Sequence, residues 1–365
     1  MIDTTTDFYS EVSMLLQPDL RKQVGSAYLP FPYKDIMKRT FLFLFLLFLI
    51  SCKKDNNPGP SISSVNGLNN FFITSIAFDQ TGTAWLGTLN QGLVKYDGQA
   101  VTVYDSTNSP MTNAFIGDIE IDKAGNIWIG SDDLVRLSGS QFTRYDSRLF
   151  GLPKNHVRSI ETDDAGNVWF SCSSFRSGGL VKYDGNSFTT FTPENSSLPG
   201  NMVQSIAIDK SNHVWLAIND GVNTVSLARI SGSAIDTFGQ TEIGFNPYYL
   251  GDIVVNKQNE VLASIDYSLS STFQNGRPQI FKFNGEKSEI FRLPDENSIV
   301  YYTHKIFIDQ NNKLWASFRG DWQFGVFDGS NWVFNKTDAG GVFALGQSPN
   351  GEIWLGTDKG IYIAK

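Results

Sequence analysis

Residues 163–169 read DDAGNVW and residues 179–185 read GLVKYDG, and this pair recurs along the chain. DQTGTAW at 79–85 precedes an identical GLVKYDG at 92–98; DKAGNIW stands at 122–128 and SPNGEIW at 348–354. Weaker copies put Trp215, Leu262 and Trp315 in the tryptophan position. Positions 85, 128, 169, 215, 262, 315 and 354 are separated by 43, 41, 46, 47, 53 and 39 residues. A period in the low forties is that of a propeller blade of four short strands. The sequence therefore predicts an all-β protein, a β-propeller of about seven four-stranded blades.

The turn before each tryptophan position supports the alignment independently. Its fourth member is Gly82, Gly125, Gly166, Asn212, Asn259, Asn312 or Gly351. These two residue types tolerate the left-handed backbone that ends a tight hairpin loop. Its first member is Asp79, Asp122, Asp163, Asp209, Asn256, Asp309 or Ser348, side chains able to fold back onto nearby amides. Carboxylates beside glycine also suggest calcium, but the alternating ligands and distal Glu of an EF-hand are missing, so these read as structural turns.

In the first unit, strands are expected at Thr74–Phe78, Ala84–Gly87, Leu93–Tyr96 and Val101–Tyr104. The tryptophans belong between blades, as core. After Trp354 the sequence supplies two strands and stops at Lys365. Residues 61–65, SISSV, resemble the fourth strands elsewhere and are expected to complete the last blade, which closes the ring and removes its exposed edges.

The chain has 365 residues, 41% hydrophobic and 18% charged, which favours a folded core over disorder. A net charge of −8 argues against nucleic acid as a partner. Two cysteines, Cys52 and Cys172, are too few for a disulfide framework.

Residues 37–52, MKRTFLFLFLLFLISC, form an address. Lys38 and Arg39 precede an apolar run of ten residues, Phe41 to Ile50, about half the length a bilayer core needs as a helix. A signal peptide over 37–51 fits better than a membrane anchor. Its end, LISC at 49–52, resembles the bacterial lipobox, which implies cleavage before Cys52, lipidation of Cys52 and an outer-membrane location in the cell envelope. Residues 52–60 read as a tether, and residues 1–36 as an upstream extension from a mistaken start. The propeller is assigned to 61–365.

DKAGNIWIG, DDAGNVWF and PNGEIWLGTDKGIYI resemble the two-component regulator propeller repeat. The resemblance covers residues 61–365, most clearly in blades one to three and seven. It implies the propeller fold and a general binding role, since such repeats form extracytoplasmic sensor parts that detect glycans. No kinase or DNA-binding segment is evident here, so the resemblance does not extend to signalling.

Function is expected on the face carrying the longer loops between blades and between second and third strands. Aligning the residue four before the conserved apolar position of each first strand gives Phe72, Phe115, His156, Met202, Tyr249, Tyr302 and Gly341, expected to ring the channel mouth. The candidate ligand-binding residues are Phe115, His156, Phe175, Arg176, Tyr249, Tyr302, His304, Arg319 and Trp322, with aromatic rings for sugar faces and Arg for hydroxyls. The loop 267–277 of blade five belongs to the same face. No catalytic residue, metal or cofactor is read from the sequence, and Cys172 reads as a small buried residue. The expected partner is a glycan or an envelope protein, the membrane is met only through the lipid, and the protein reads as a monomer. A protein-binding scaffold is the first alternative. A metal-assisted lyase resembling streptogramin-inactivating propellers, using His156 and His304, is the second.

Overall fold

The computed structural model describes residues 60–365 apart from 153–155, 175–176, 220–224, 246–248, 267–278, 292–299, 321–322 and 339. The address segment with Cys52, the upstream extension, and Phe175, Arg176, Trp322 and the 267–277 loop lie outside the described residues. Among the described residues no helix is long and apolar enough to cross a membrane.

Twenty-eight strands form seven antiparallel sheets of four. The first blade runs Ile73–Phe78, Ala84–Thr88, Leu93–Tyr96 and Val101–Tyr104, within one residue of the expected strands. The seventh contains Val342–Gln347, Ile353–Thr357 and Gly360–Ala364, and its fourth strand is Ile62–Ser64 from the other end of the chain. Ser63 lies opposite Ile363, and Ser61 and Lys365 exchange two backbone hydrogen bonds of 2.9 Å. Residues 59–365 form one compact unit.

The core is distributed between blades. Seven apolar clusters each join one blade to the next, and each contains one residue of the tryptophan position: Trp85, Trp128, Trp169, Trp215, Leu262, Trp315 and Trp354. Every one of these is under 8% exposed. A third-strand cation lies over four of the rings, as with Lys182, 5.3 Å from the Trp169 centroid.

The turns adopt the expected backbone. Gly82, Gly125, Gly166 and Gly351 have φ between 81° and 91°. Asn212, Asn259 and Asn312, at 63° to 67°, are the only non-glycine residues with positive φ among the described residues. Their amide oxygens also reach the preceding blade, accepting from the backbone N–H of Asp164, Lys210 and Lys257 at 2.8 Å. His213, in such a turn, pairs with Asp209 at 3.0 Å.

Candidate functional site

The first strand of each blade packs against its counterparts in both neighbouring blades, so the seven close a ring around the central channel. In six of the seven the register against the second strand slips near its start: between Ile73 and Ser75, Val157 and Ser159, Val203 and Ser205, Leu250 and Ile253, Thr303 and Lys305, and Val342 and Ala344. Such a bulge inserts an unpaired residue and re-aims its side chain. The skipped positions hold Thr74, Arg158, Gln204, Gly251 with Asp252, His304 and Phe343, and all of these line one cavity of about 600 Å³ at the mouth.

The position after the bulge builds the ring itself. Ser75, Asp118, Ser159, Ser205 and Asp252 each accept a hydrogen bond from a backbone N–H of the following blade, from Ile119, Ile160, Ile206, Ile253 and Ile306, at 3.0 to 3.2 Å. This circumferential series runs from blade one to blade six. The serines also donate to the carboxylates, Ser75 to Asp118 at 3.1 Å and Ser205 to Asp252 at 2.9 Å. Lys305, at the same position in blade six, lies 3.5 Å from Asp252, whose charge holds the ammonium above its ordinary range. Burial raises the Asp118 carboxyl, and the Lys305 charge opposes it.

Lower in the channel, burial pushes Glu120 up to about 7, although the Thr162 hydroxyl donates to it at 2.9 Å. Glu161, on the next blade, is raised well above the usual range by burial and by the Glu120, Asp118 and Asp252 charges. Among the described residues no group of three or more His, Cys, Asp or Glu side chains is placed to hold a metal ion.

Of the expected mouth residues, Phe72, Phe115, His156 and Tyr249 line the cavity, together with His304. Met202 and Gly341 are absent from its described lining. In blade seven the bulge turns Phe343 inward instead, two residues beyond the aligned Gly341. Tyr302 occupies its strand opposite Arg319, and its side chain lies outside the described residues. Arg319 is exposed, and burial, with the Arg319 charge adding to it, depresses His304 to about 4, so that imidazole stays neutral near pH 7.

The cavity wall divides by chemistry. Phe72 and Phe343 have ring centroids 4.5 Å apart, and His304 packs on Phe343 at 4.8 Å. Phe115 meets His156 edge-on at 5.9 Å, and His156 Nδ1 lies 2.5 Å from Asp132. These aromatic groups come from blades six, seven, one, two and three, Tyr249 of blade five stands among the polar groups, and Leu89 at the rim is 44% exposed. Arg158, Gln204, Asp252 and Lys305 supply a polar sector. Arg158, Gln204 and Phe343 escaped the sequence reading. Their signal was a position running Thr, Gly, Arg, Gln, Gly, His, Phe inside an otherwise regular frame.

Cys172 is 1% exposed in the second strand of blade three, and burial pushes its thiol up to about 12, which leaves no thiolate for nucleophilic chemistry near pH 7.

A seven-bladed propeller with an aromatic-walled mouth is thus defined. Its third repeat, at residues 151–174, matches the family described as Two component regulator propeller, the one its repeats resemble. No curated protein matches the chain. Its fold is similar to that of the extracellular domain of a hybrid two component system from B. thetaiotaomicron, at 17% identity and a TM-score of 0.64 over 84% of this chain and 40% of that one. PorZ, a bacterial surface component of the type-IX secretion system of Porphyromonas gingivalis, gives 15% identity and 0.62, over 84% and 48%. A streptogramin B lyase gives 14% and 0.65, over 84% and 98%. The chain spans less than half the length of the first two.

Proposed function

We propose that this protein is an extracytoplasmic, lipid-anchored binding protein whose mouth cavity seats a glycan. The observation that carries this reading is the divided wall, with half-buried rings on one side and polar groups on the other. Sugars present an apolar face and a rim of hydroxyls, and such a wall matches both. The volume suits a few sugar rings. Similarity to extracellular domains and to a surface component supports a location outside the cytoplasm, and the lipobox-like residues 49–52 support lipidation of Cys52.

The test is a glycan array probed with residues 59–365, the unit that holds the closed ring and all seven core clusters. Binding that Tyr249→Ala weakens several-fold, and that Asp184→Ala on the opposite face leaves unchanged, is the expected result. Equal loss in both variants refutes this placement of the site. Binding of an envelope protein in the absence of any glycan would favour the scaffold reading. For the anchor, Cys52→Ala abolishes metabolic labelling by palmitate; persistent labelling refutes it.

A further inference from the structure

The mouth cavity holds donors that the described residues leave without an acceptor. The lining carboxylate Asp252 is committed to Ser205, the Ile306 N–H and Lys305, and Asp118, next to the lining Gly117, to Ser75 and the N–H groups of Ile119 and Ile160. Asp132, beside the rim, is taken by His156 and by the Asn113 amide at 3.3 Å. Two lining side chains on adjacent blades are not committed. Arg158 makes no hydrogen bond or ion pair among the described residues and is exposed to the cavity. Gln204 is only 7% exposed, yet its Nε2 is buried without a partner.

These two are bulge residues at the same repeat position. The tier runs Gly117, Arg158, Gln204, Gly251 around blades two to five, so two donor side chains stand between two positions with no side chain at all. A buried amide N–H without an acceptor costs free energy, and an unpaired guanidinium presents five N–H groups in a planar fork. A carboxylate answers both, since it has two acceptor oxygens and pairs with a guanidinium through two parallel bonds.

We infer that the mouth is selective for a carboxylate-bearing sugar, with Arg158 gripping the carboxylate, Gln204 turning its buried amide towards the cavity to donate to it and the rings of the opposite wall covering the sugar face. This rests on the glycan reading above and goes further by naming the class of ligand. The net charge of −8 makes general attraction of anions a poor account of such selectivity, which then has to arise from short-range contacts.

The experiment measures binding of an oligogalacturonide and of its methyl ester, and of sialyllactose and its methyl ester, to residues 59–365 by calorimetry. Esterification removes the charge, weakens one acceptor oxygen and adds a single methyl group, so the loss traced to Arg158 separates charge recognition from crowding by the methyl. The expected result is that at least one acid binds about ten-fold or more tightly than its ester. Which acid does so distinguishes a uronate from a sialate. Arg158→Ala then abolishes the preference for acid over ester, Gln204→Leu reduces it, and Phe72→Ala, on the opposite wall, weakens acid and ester alike. Unchanged melting temperatures confirm that these variants are folded. Acid and ester binding equally, or Arg158→Ala weakening both to the same degree, overturns the carboxylate inference and leaves the glycan reading standing. Binding of a free peptide C-terminus with no binding of any sugar overturns both.

Discussion

The indole N–H of Trp169 donates to the carboxylate of Asp163 at 2.9 Å, tying a buried core side chain to the turn six residues before it. The same bond links Trp85 to Asp79, Trp128 to Asp122, Trp215 to Asp209 and Trp315 to Asp309. A second oxygen of each aspartate holds the turn, for Asp163 through the N–H groups of Ala165 and Asn167. Burial alone would raise this carboxyl; the bonds from Trp169 and Asn167 more than offset it and hold it below its usual range. The repeat thus specifies turn and core with one side chain. Asp163→Ala should cost roughly 3 kcal/mol, because it leaves a buried indole N–H and several turn amides unpaired. Thermal unfolding checks this, and an unchanged melting temperature would contradict it.

Blade seven lacks this tie. Ser348 stands in the aspartate position, and Trp354 Nε1 is buried with no hydrogen-bond partner. Glu352, held low chiefly by Lys365, lies close enough to feel the indole N–H but not at hydrogen-bonding geometry. Blade three offers the remedy, since its turn pairs Asp163 with Asn167. The double change Ser348→Asp, Glu352→Asn should stabilise the protein by about 1 kcal/mol, because a satisfied indole gains more than the exposed Glu352–Lys365 pair gives up. A melting temperature that falls, or does not move, would show that the blade cannot accept the arrangement.

Closure of the ring depends on Gly360. A Cβ added there would come 2.0 Å from the Leu68 carbonyl oxygen, just as one at Gly92 would come 2.2 Å from that of Tyr104. The segment leading out of Ile62–Ser64 therefore occupies the place a fourth strand's end takes in blade one. With φ at 108° as well, Gly360→Ala strains the backbone and pushes the segment away. The variant should melt several degrees lower, and deletion of residues 60–66 lower still, since the edge of Gly360–Ala364 then loses its partner strand. Equal melting of wild type and deletion would mean the ring does not need this strand.

What could be read in advance was whatever one residue type decides locally. A left-handed backbone demands Gly or Asn, so Gly166 and Asn259 fixed the turns, and Trp169 marked the core at blade spacing. The missing strand after Lys365 pointed to closure by residues 61–65. The bulge was hidden, because one inserted residue only shifts an alternating pattern. That shift is why Gly341 stood where Phe343 turns in, and why Arg158 and Gln204 passed as ordinary strand residues. The blade-to-blade bonds were hidden too, since their partners are 42 to 55 residues apart and leave no local trace.

Asn259 separates these two kinds of information. Its backbone needs positive φ, which glycine also satisfies, and its side chain accepts from the Lys210 N–H, which glycine cannot supply. Asn259→Gly should therefore lose only the inter-blade bond, a few tenths to about 1 kcal/mol. Asn259→Ala loses that bond and adds the strain of a left-handed backbone, about 1 kcal/mol more. The order of melting temperatures is wild type, then Gly, then Ala. If Ala matches Gly, the backbone requirement is not what selects this residue.

The channel carboxylates give stability a pH dependence of unusual sign. Glu120 titrates near 7 when folded, against 4.5 for an unperturbed glutamate, because burial and the Asp118 and Asp122 charges disfavour its ionised form. Between these values the folded protein binds more protons than the unfolded chain, so this contribution is complete below about 4.5 and is lost as pH rises through 7. His304 works the other way: its folded value near 4 lies below 6.5, so its contribution fades as pH falls from 6.5 towards 4. The two overlap in the wild-type curve, and a difference measurement separates them. Glu120→Gln keeps an acceptor for the Thr162 hydroxyl and cannot ionise. Its melting temperature, taken relative to wild type, should therefore climb steadily from pH 5 to pH 8. Two melting curves that stay parallel over that range would show that Glu120 does not titrate there.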